Sequence, residues 1–473
     1  MGVLFQVLVF IFLGSFLHVI GRILFSCWIS PSRTLLKLRK NGFGGPTPNF
    51  PLGNHKEIKR ISRKAAASAS SSSSSSNNIN ATTFSSSGFS KISNDIHSSV
   101  FPYFSQWQKS HGKVFIYWLG TEPFLYIADP DFLKEMSSGV MGKSWGKPRV
   151  FKHDREPMFG NGLVMAEGDE WVHHRHVITP AFSPANLKTS GTALINSGNH
   201  EIDVEREITA TAGEIIARAS FGMSYENGSK VFEKLRAMQI TLFKSNRYVG
   251  VPFSKLISPK KTMEAKKLGN EIDALLSSII KAHKSSNDGS SQKDLLGLLL
   301  QEDPVNGMSG TKMLTTRQLV DECKTFFFGG HETTALALSW TLLLLATHPE
   351  WQNKLREEIR EVTGDGETDF TKVAGLKKMG WVMNEVLRLY PPSPNVQRQA
   401  REDIQVNELL IPTGTNMWID VVAMHHDPKL WGEDVNEFKP ERFRDDPLYG
   451  GCRHKMGFFC PLGSEEECAL VGT

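Results

Sequence analysis

Apolar and polar positions divide this chain into unlike stretches. Val3 to Gly21 is apolar almost without a break, interrupted only by Gln6, Ser15 and His18. Such a run just reaches the ~20 residues that a membrane-spanning helix needs. It lacks the basic start and the small-residue cleavage site of a removable signal peptide. Positive charges follow it at Arg22, Arg33, Lys37, Arg39 and Lys40. By the positive-inside rule, this pattern predicts a single-pass anchor over residues 1–30, with the body of the protein on the cytoplasmic side. A cleaved signal sequence is the alternative reading.

The pattern then changes. Residues 31–60 are basic and rich in Pro and Gly, with Gly44-Gly45-Pro46-Thr47-Pro48 and Pro51-Leu52-Gly53. Proline fixes φ and stops a helix, so an extended linker is expected. Residues 61–95 are dominated by serine, unbroken from Ser70 to Ser76. Ala65 to Ser93 has little to bury and is expected to be a disordered loop. From Ile96 the chain reads as globular. Phe115 to Gly120 and Phe124 to Ile127 predict a hairpin. Helical patterns dominate beyond it, at Ala210 to Ala219, Thr262 to His283, Thr316 to Thr347, Glu350 to Val362 and Trp381 to Tyr390. Short strand-like pieces return at Ile404 to Val406 and Leu409 to Ile411, and there is no internal repeat. The expected class is mainly α with a small β region, the globular domain covering 96–459.

Composition narrows the function. The chain has 473 residues, 40% hydrophobic and 22% charged, enough for a large core. The net charge of +4 is small for that length, and no basic stripe is interleaved with aromatics, so nucleic acid is not an expected partner. The cysteines are Cys27, Cys323, Cys452, Cys460 and Cys468, without a Cys-x-x-Cys pair. That spacing indicates neither a disulfide framework nor a zinc site.

The chemistry concentrates in a few strings. Phe326-Phe327-Phe328-Gly329-Gly330-His331-Glu332-Thr333-Thr334 lies inside a long apolar helical pattern. Adjacent glycines there cost roughly 2 kcal/mol relative to alanine, which a purely structural helix would avoid. They let something flat approach the backbone, and the acid and hydroxyls beside them suit proton handling. A kinked core helix is the plainer alternative. Glu385 and Arg388 are three residues apart in Glu385-Val386-Leu387-Arg388 and share a helix face among apolar neighbours. Phe438-Lys439-Pro440-Glu441-Arg442-Phe443 brings a further arginine.

Gly-Gly-x-Glu-Thr-Thr, then Glu-x-x-Arg, then Pro-Glu-Arg-Phe, in this order, resembles a microsomal cytochrome P-450, from Met1 to Phe458 and most like plant members. The resemblance implies a haem cofactor and electrons from NADPH through a membrane reductase. It also implies hydroxylation of a small hydrophobic substrate (terpenoid, hormone or fatty acid) at the endoplasmic reticulum. Gly329, Gly330, Glu332 and Thr333 would lie over the oxygen-binding face of the haem, the last two assisting proton delivery. Glu385, Arg388 and Arg442 would form a structural network beneath it. Trp171, Arg175 and Arg398 resemble the contacts to the haem propionates; Trp and Arg at i and i+4 share a helix face. His173, His174, His425 and His426 invite a metal-site reading that the resemblance does not support. Variable segments near Val100, Met223 and Pro252 would touch substrate. An anchored helical scaffold unrelated to haem would leave the helix glycines unexplained.

The family holds its iron by a cysteine in Phe-x-x-Gly-x-Arg-x-Cys-x-Gly, and that thiolate favours O–O cleavage. Residues 460–473 contain no such string. Cys468 stands five residues after Gly463 where the pattern needs four, and Glu465 stands where the arginine belongs. Glutamate codons read two bases later encode only Arg or Gly. With suitable synonymous codons, Pro461 to Val471 then yields Phe-Gly-Phe-Gly-Gly-Arg-Val-Cys-Val-Gly. A shifted reading frame, a wrong splice boundary or a sequencing slip near Phe459 is therefore expected. The consequence would be an incomplete domain without its cysteine ligand (Cys468 being the remaining candidate), and a catalytically inactive product is the alternative function. The resemblance also places a further helix and a terminal β hairpin after that motif.

Overall fold

The computed structural model describes residues 2–74, 93–138, 144–178, 203–222, 225–243, 249–252, 259–285, 295–300, 314–364 and 370–444. The tail 460–473, with Cys468, and the segment near Met223 lie outside them.

The chain opens as one helical rod: α1 (Gly2–Leu24), a widened π-helical turn at Phe25–Ile29, and α2 (Ser30–Lys40). Pro31 lacks the N–H an α-helix would need there, and the widened turn sits just before it. The apolar side chains of α1 are exposed, as for a span meant for lipid. Residues 31–60 are therefore not extended throughout. Helix persists to Lys40, where Leu38 is buried against the sheet, and resumes in α3 (His55–Ser74). The serine-rich expectation also needs correction up to Ser74. Ile58 and Ile61 anchor α3 to the core, and Ala65-Ala66-Ala67, the best helix formers, propagate it into the serines. Residues 75–92 lie outside the described residues.

Next come α4 (Ile96–Val100), α5 (Pro102–His111), β1 (Val114–Leu119), β2 (Glu122–Ile127), α6 (Pro130–Ser138), β3 (Trp145–Gly146), α7 (Arg149–Phe159), α8 (Gly168–Ile178), α9 (Val204–Phe221) and α10 (Tyr225–Phe243). They are followed by α11 (Pro259–Ser285), α12 (Leu295–Leu300), α13 (Thr316–Thr347), α14 (Pro349–Thr363) and α15 (Lys377–Leu389). The described part closes with β4 (Asn395–Ala400), β5 (Ile404–Val406), β6 (Leu409–Ile411), β7 (Asn416–Asp420), α16 (Val421–His425) and α17 (Pro428–Trp431).

Five strands form one sheet in the order β1-β2-β7-β4-β3, and β5 pairs with β6. All pairs are antiparallel except β2 with β7. Both faces of the β1–β2 hairpin are covered. Phe115, Tyr117, Phe124 and Tyr126 face one apolar cluster; Ile116, Trp118, Leu125 and Ile127 face another. Covering on both sides is why these strands read as continuous apolar runs. A separate helical core of α7 to α13 forms around Met158, Phe221, Phe232, Leu276 and Phe327.

Candidate cofactor site

Helix α13, a long α-helix of 32 residues, starts on a capping box, Thr315 with Gln318. Its two glycines differ. A Cβ on Gly330 would stand 2.5 Å from Cδ1 of Ile216, so this glycine admits α9. A Cβ on Gly329 would meet nothing within 4 Å. The Gly329 side of the helix is therefore open. Thr333 lies one turn along that side and donates its hydroxyl to the Gly329 carbonyl at 2.7 Å.

Glu332 turns the other way. It lines a cavity of ≈ 50 Å³ with Glu205, Arg236, Gln239 and Ser339, between α9, α10 and α13. Burial pushes its carboxyl above the usual range, against the opposing pull of a Gln239 hydrogen bond and the Arg236 charge. Glu332 and Thr333 are thus on different sides of one turn, the acid in a small cavity of mixed polar and apolar lining and the hydroxyl beside the open glycine.

The second group is dry. Arg388 donates Nε to Glu385 Oε2 at 2.7 Å and Nη2 to Oε1 at 2.9 Å, with both residues 0% exposed. This fork-to-fork pair is the geometry Arg offers and Lys does not. Arg442 reaches the same carboxylate at 3.4 Å, and the Lys439 N–H donates to Oε1 at 2.9 Å. Arg388 also donates to the His425 carbonyl at 2.8 Å, and its guanidinium lies 5.2 Å from the Trp431 ring centre. Arg442 in turn donates to the Trp431 carbonyl and pairs with Asp434, whose carboxyl Arg442 and Lys439 hold down to about 2. These bonds join α15 to the turn after α17. His425 and His426 are absorbed in the same region: the His426 ring lies 2.9 Å from Asn436 Oδ1 and 2.9 Å from the Leu389 carbonyl.

Trp171 and Arg175 sit half-buried on α8, one turn apart. Arg398 lies on β4 opposite Met417 and donates to the Gln397 carbonyl at 3.0 Å. The two groups are carried by separate elements. Between Trp171 and Arg175, His174 points inward: its Nδ1 lies 2.5 Å from Glu322 Oε1 on α13. Little in the sequence announces this pair. Its one local sign is the polar string Asp321-Glu322-Cys323-Lys324 inside an apolar helical run.

The domain is mainly helical with a small sheet, and the open glycine flank of α13 leaves room for a flat group to approach the backbone. Comparison with known proteins makes this specific. The family model "Cytochrome P-450" matches residues 91–458. A cytokinin hydroxylase of Arabidopsis thaliana is 35% identical over 95% of this chain and 87% of its own length. Cytochrome P-450 714C2 of Oryza sativa subsp. japonica is 31% identical over 94% and 84%. Among solved structures, the retinoic acid bound cyanobacterial CYP120A1 superposes with a TM-score of 0.61 over 78% of this chain and 81% of its own, at 21% identity.

The chain belongs to the cytochrome P-450 family. The family consists of monooxygenases that use haem iron, with electrons from NAD(P)H through a reductase. The described residues fit the porphyrin of such a group, while the cysteine motif that would hold its iron is absent from residues 460–473. The Gly329 side is free of any obstructing Cβ, and Arg175 and Arg398 are guanidinium donors suited to carboxylates. The apolar helix α1 is consistent with membrane anchoring.

Proposed function

We propose that this scaffold hydroxylates a small hydrophobic molecule of the terpenoid, hormone or fatty-acid class. The observation that carries the haem reading is the open side of Gly329 with Thr333 beside it, directly after a stretch buried from Leu319 to Phe327. The likeness to a cytokinin hydroxylase supports the hormone class within that range. The body would be held at the cytoplasmic face of the endoplasmic reticulum by α1 and would receive electrons from NADPH through a membrane reductase.

When bound, haem iron supplies oxygen activation and insertion. The chain's own residues would do the rest. Trp171, Arg175 and Arg398 bind and orient the propionates. Gly329 allows close approach to α13, and Gly330 seats α9 against the same turn. Glu332, which burial keeps protonated to higher pH than a free carboxyl, holds a proton near that helix, and the Thr333 hydroxyl stands ready to relay one at Gly329. Glu385, Arg388 and Arg442 keep α15 in register with the turn that follows α17.

A second reading has its own observation. The family match stops at residue 458, and residues 460–473 lack the cysteine motif. On that reading this polypeptide is an inactive product of a frame or splice error. Expression of this chain beside a frame-corrected one separates the two. The corrected chain is expected to bind haem and to show the red-shifted band of thiolate-bound haem when reduced under carbon monoxide. If this chain shows the same band, the defect is refuted; if the corrected chain takes up no haem, the monooxygenase reading falls.

A further inference from the structure

We infer that His174 is a positioning residue: its buried pair with Glu322 ties α8 to α13 and fixes how Trp171 and Arg175 face the cofactor. The inference rests on the haem reading above.

His174 and Glu322 are both 0% exposed and lie 148 residues apart in sequence. Their 2.5 Å contact is the short, charge-assisted kind. In a dry setting the two helices cannot turn against each other without stranding a buried carboxylate. The other ring nitrogen of His174 lies 3.4 Å from Gln318 Nε2, one turn earlier on α13, so both ring nitrogens face the same helix; the Gln318 amide donates to it only when the imidazole is neutral. The Glu322 carboxylate is itself committed: Oε2 is buried with no hydrogen-bond partner, which leaves Oε1 and His174 as its anchor.

The neighbouring acid grips the loop before α8. Asp321 Oδ2 accepts the Asn161 N–H at 3.0 Å. Gly160, at φ +55, leaves room for that carboxylate, since a Cβ there would stand 2.0 Å from Asp321 Oδ1. Two consecutive acids on α13 thus hold the loop before α8 and α8 itself.

Helical geometry carries this hold to the site. His174 is one residue from Arg175 and three from Trp171. At about 100° per residue, an inward His174 leaves Trp171 and Arg175 on the adjoining flank. On α13, Glu322 and Gly329 are seven residues apart, two turns along one stripe and about 10 Å in rise. The pair therefore sets α8 at a fixed height from the open glycine.

The test uses haem and haem dimethyl ester, whose esterified side chains carry no charge. Both are titrated into the purified full chain and followed by porphyrin absorbance. The paired change His174→Leu/Glu322→Leu keeps an apolar fill in place of the ion pair, so the fold persists while the directional tether is lost. His174→Gln is the milder companion. We expect the wild type to prefer haem over the ester. The paired variant should lose about tenfold in haem affinity, the scale of lost supporting contacts at metal cofactor sites. It should lose nothing for the ester. Adding Arg175→Ala should cost no more than Arg175→Ala alone. Equal losses on both porphyrins, additive losses with Arg175→Ala, or unchanged haem affinity would overturn the positioning role while leaving the haem reading intact. A wild-type chain that takes up neither porphyrin overturns this inference, whereas the haem reading falls only if the frame-corrected chain also takes up neither.

Discussion

The two halves of helix α13 obey opposite rules. In the first half Asp321, Glu322 and Lys324 are buried. In the second half Leu336, Leu338, Leu342 and Leu343 are exposed. The reversal has a physical cause on the first side. Each buried charge has a partner: Asp321 has Arg317 and the Asn161 N–H, Lys324 has Asp273 at 2.5 Å, and Glu322 has His174. Buried charge is tolerated where it is paired and hydrogen-bonded. In the second half, Ala335, Ala337, Thr341 and Leu344 turn inward. Small residues there let neighbouring elements approach, and the longer leucines fall outside. Polarity alone does not decide which flank of a helix is the core; the partners do.

Breaking the first half should have the largest effect. Glu322→Ala removes one partner of a buried pair and is expected to cost about 3–5 kcal/mol, read as a lower denaturant midpoint. The pH dependence has a definite sign. The hydrogen bond to Glu322 holds His174 above its ordinary value, against burial, with Glu170 of α8 and Asp321 of α13 adding in the same direction. Helix α12, which also packs on α8, contributes only leucines and a glycine. A raised histidine stabilises the fold fully below about 6.5, and that contribution is lost as pH rises through the raised value. Wild type and Glu322→Ala should therefore differ most in mild acid and converge as pH rises. A gap that stays constant with pH would show that His174 is not charged in the fold.

The glycines at the boundary sharpen the comparison at a smaller scale. Gly329→Ala adds a methyl to open space and should stabilise the unliganded chain by about 0.5–1 kcal/mol through helix propensity. Gly330→Ala meets Ile216 and should destabilise by about 1 kcal/mol, its propensity gain offset by overpacking. Ile216→Val should recover much of that loss in the double variant, since the two sites touch. If both alanines acted alike in thermal denaturation, the open and closed sides assigned to the two glycines would be wrong.

The same contrast sets how far the sequence could be read. The β1–β2 hairpin is legible because its apolar runs are covered on both faces, and α13 because its apolar run is long. Strands β4 and β7 are not, because polar Gln399 and Asn416 are buried inside the sheet, where Gln399 Nε2 donates to Asn416 Oδ1 at 3.0 Å, and they break the apolar pattern. Helix α3 was misjudged to Ser74, because serine-rich composition masked an amphipathic start that tertiary packing propagates. Glu385 and Arg388 announce a shared helix face by spacing alone, whereas the arrival of Arg442 needed the family pattern. His174 and Glu322 are too distant in sequence for any local rule to join them. Their only trace was charge at positions where the periodicity asked for leucine.

The smallest effect is expected on the outer flank of the second half. Leu342 is 48% exposed, so Leu342→Ser removes little buried area and should change stability by no more than about 0.5 kcal/mol. The serine also lowers the exposed apolar area, which should improve solubility without altering the fold. Leu344, two residues on, is buried with Trp351 and Val386, and Leu344→Ala should cost about 2–5 kcal/mol. The pair makes the test internal, since both changes sit within one turn of the same helix. A loss at Leu342 comparable to that at Leu344 would mean that this flank is covered in solution, and the second half of α13 would then follow the same burial rule as the first.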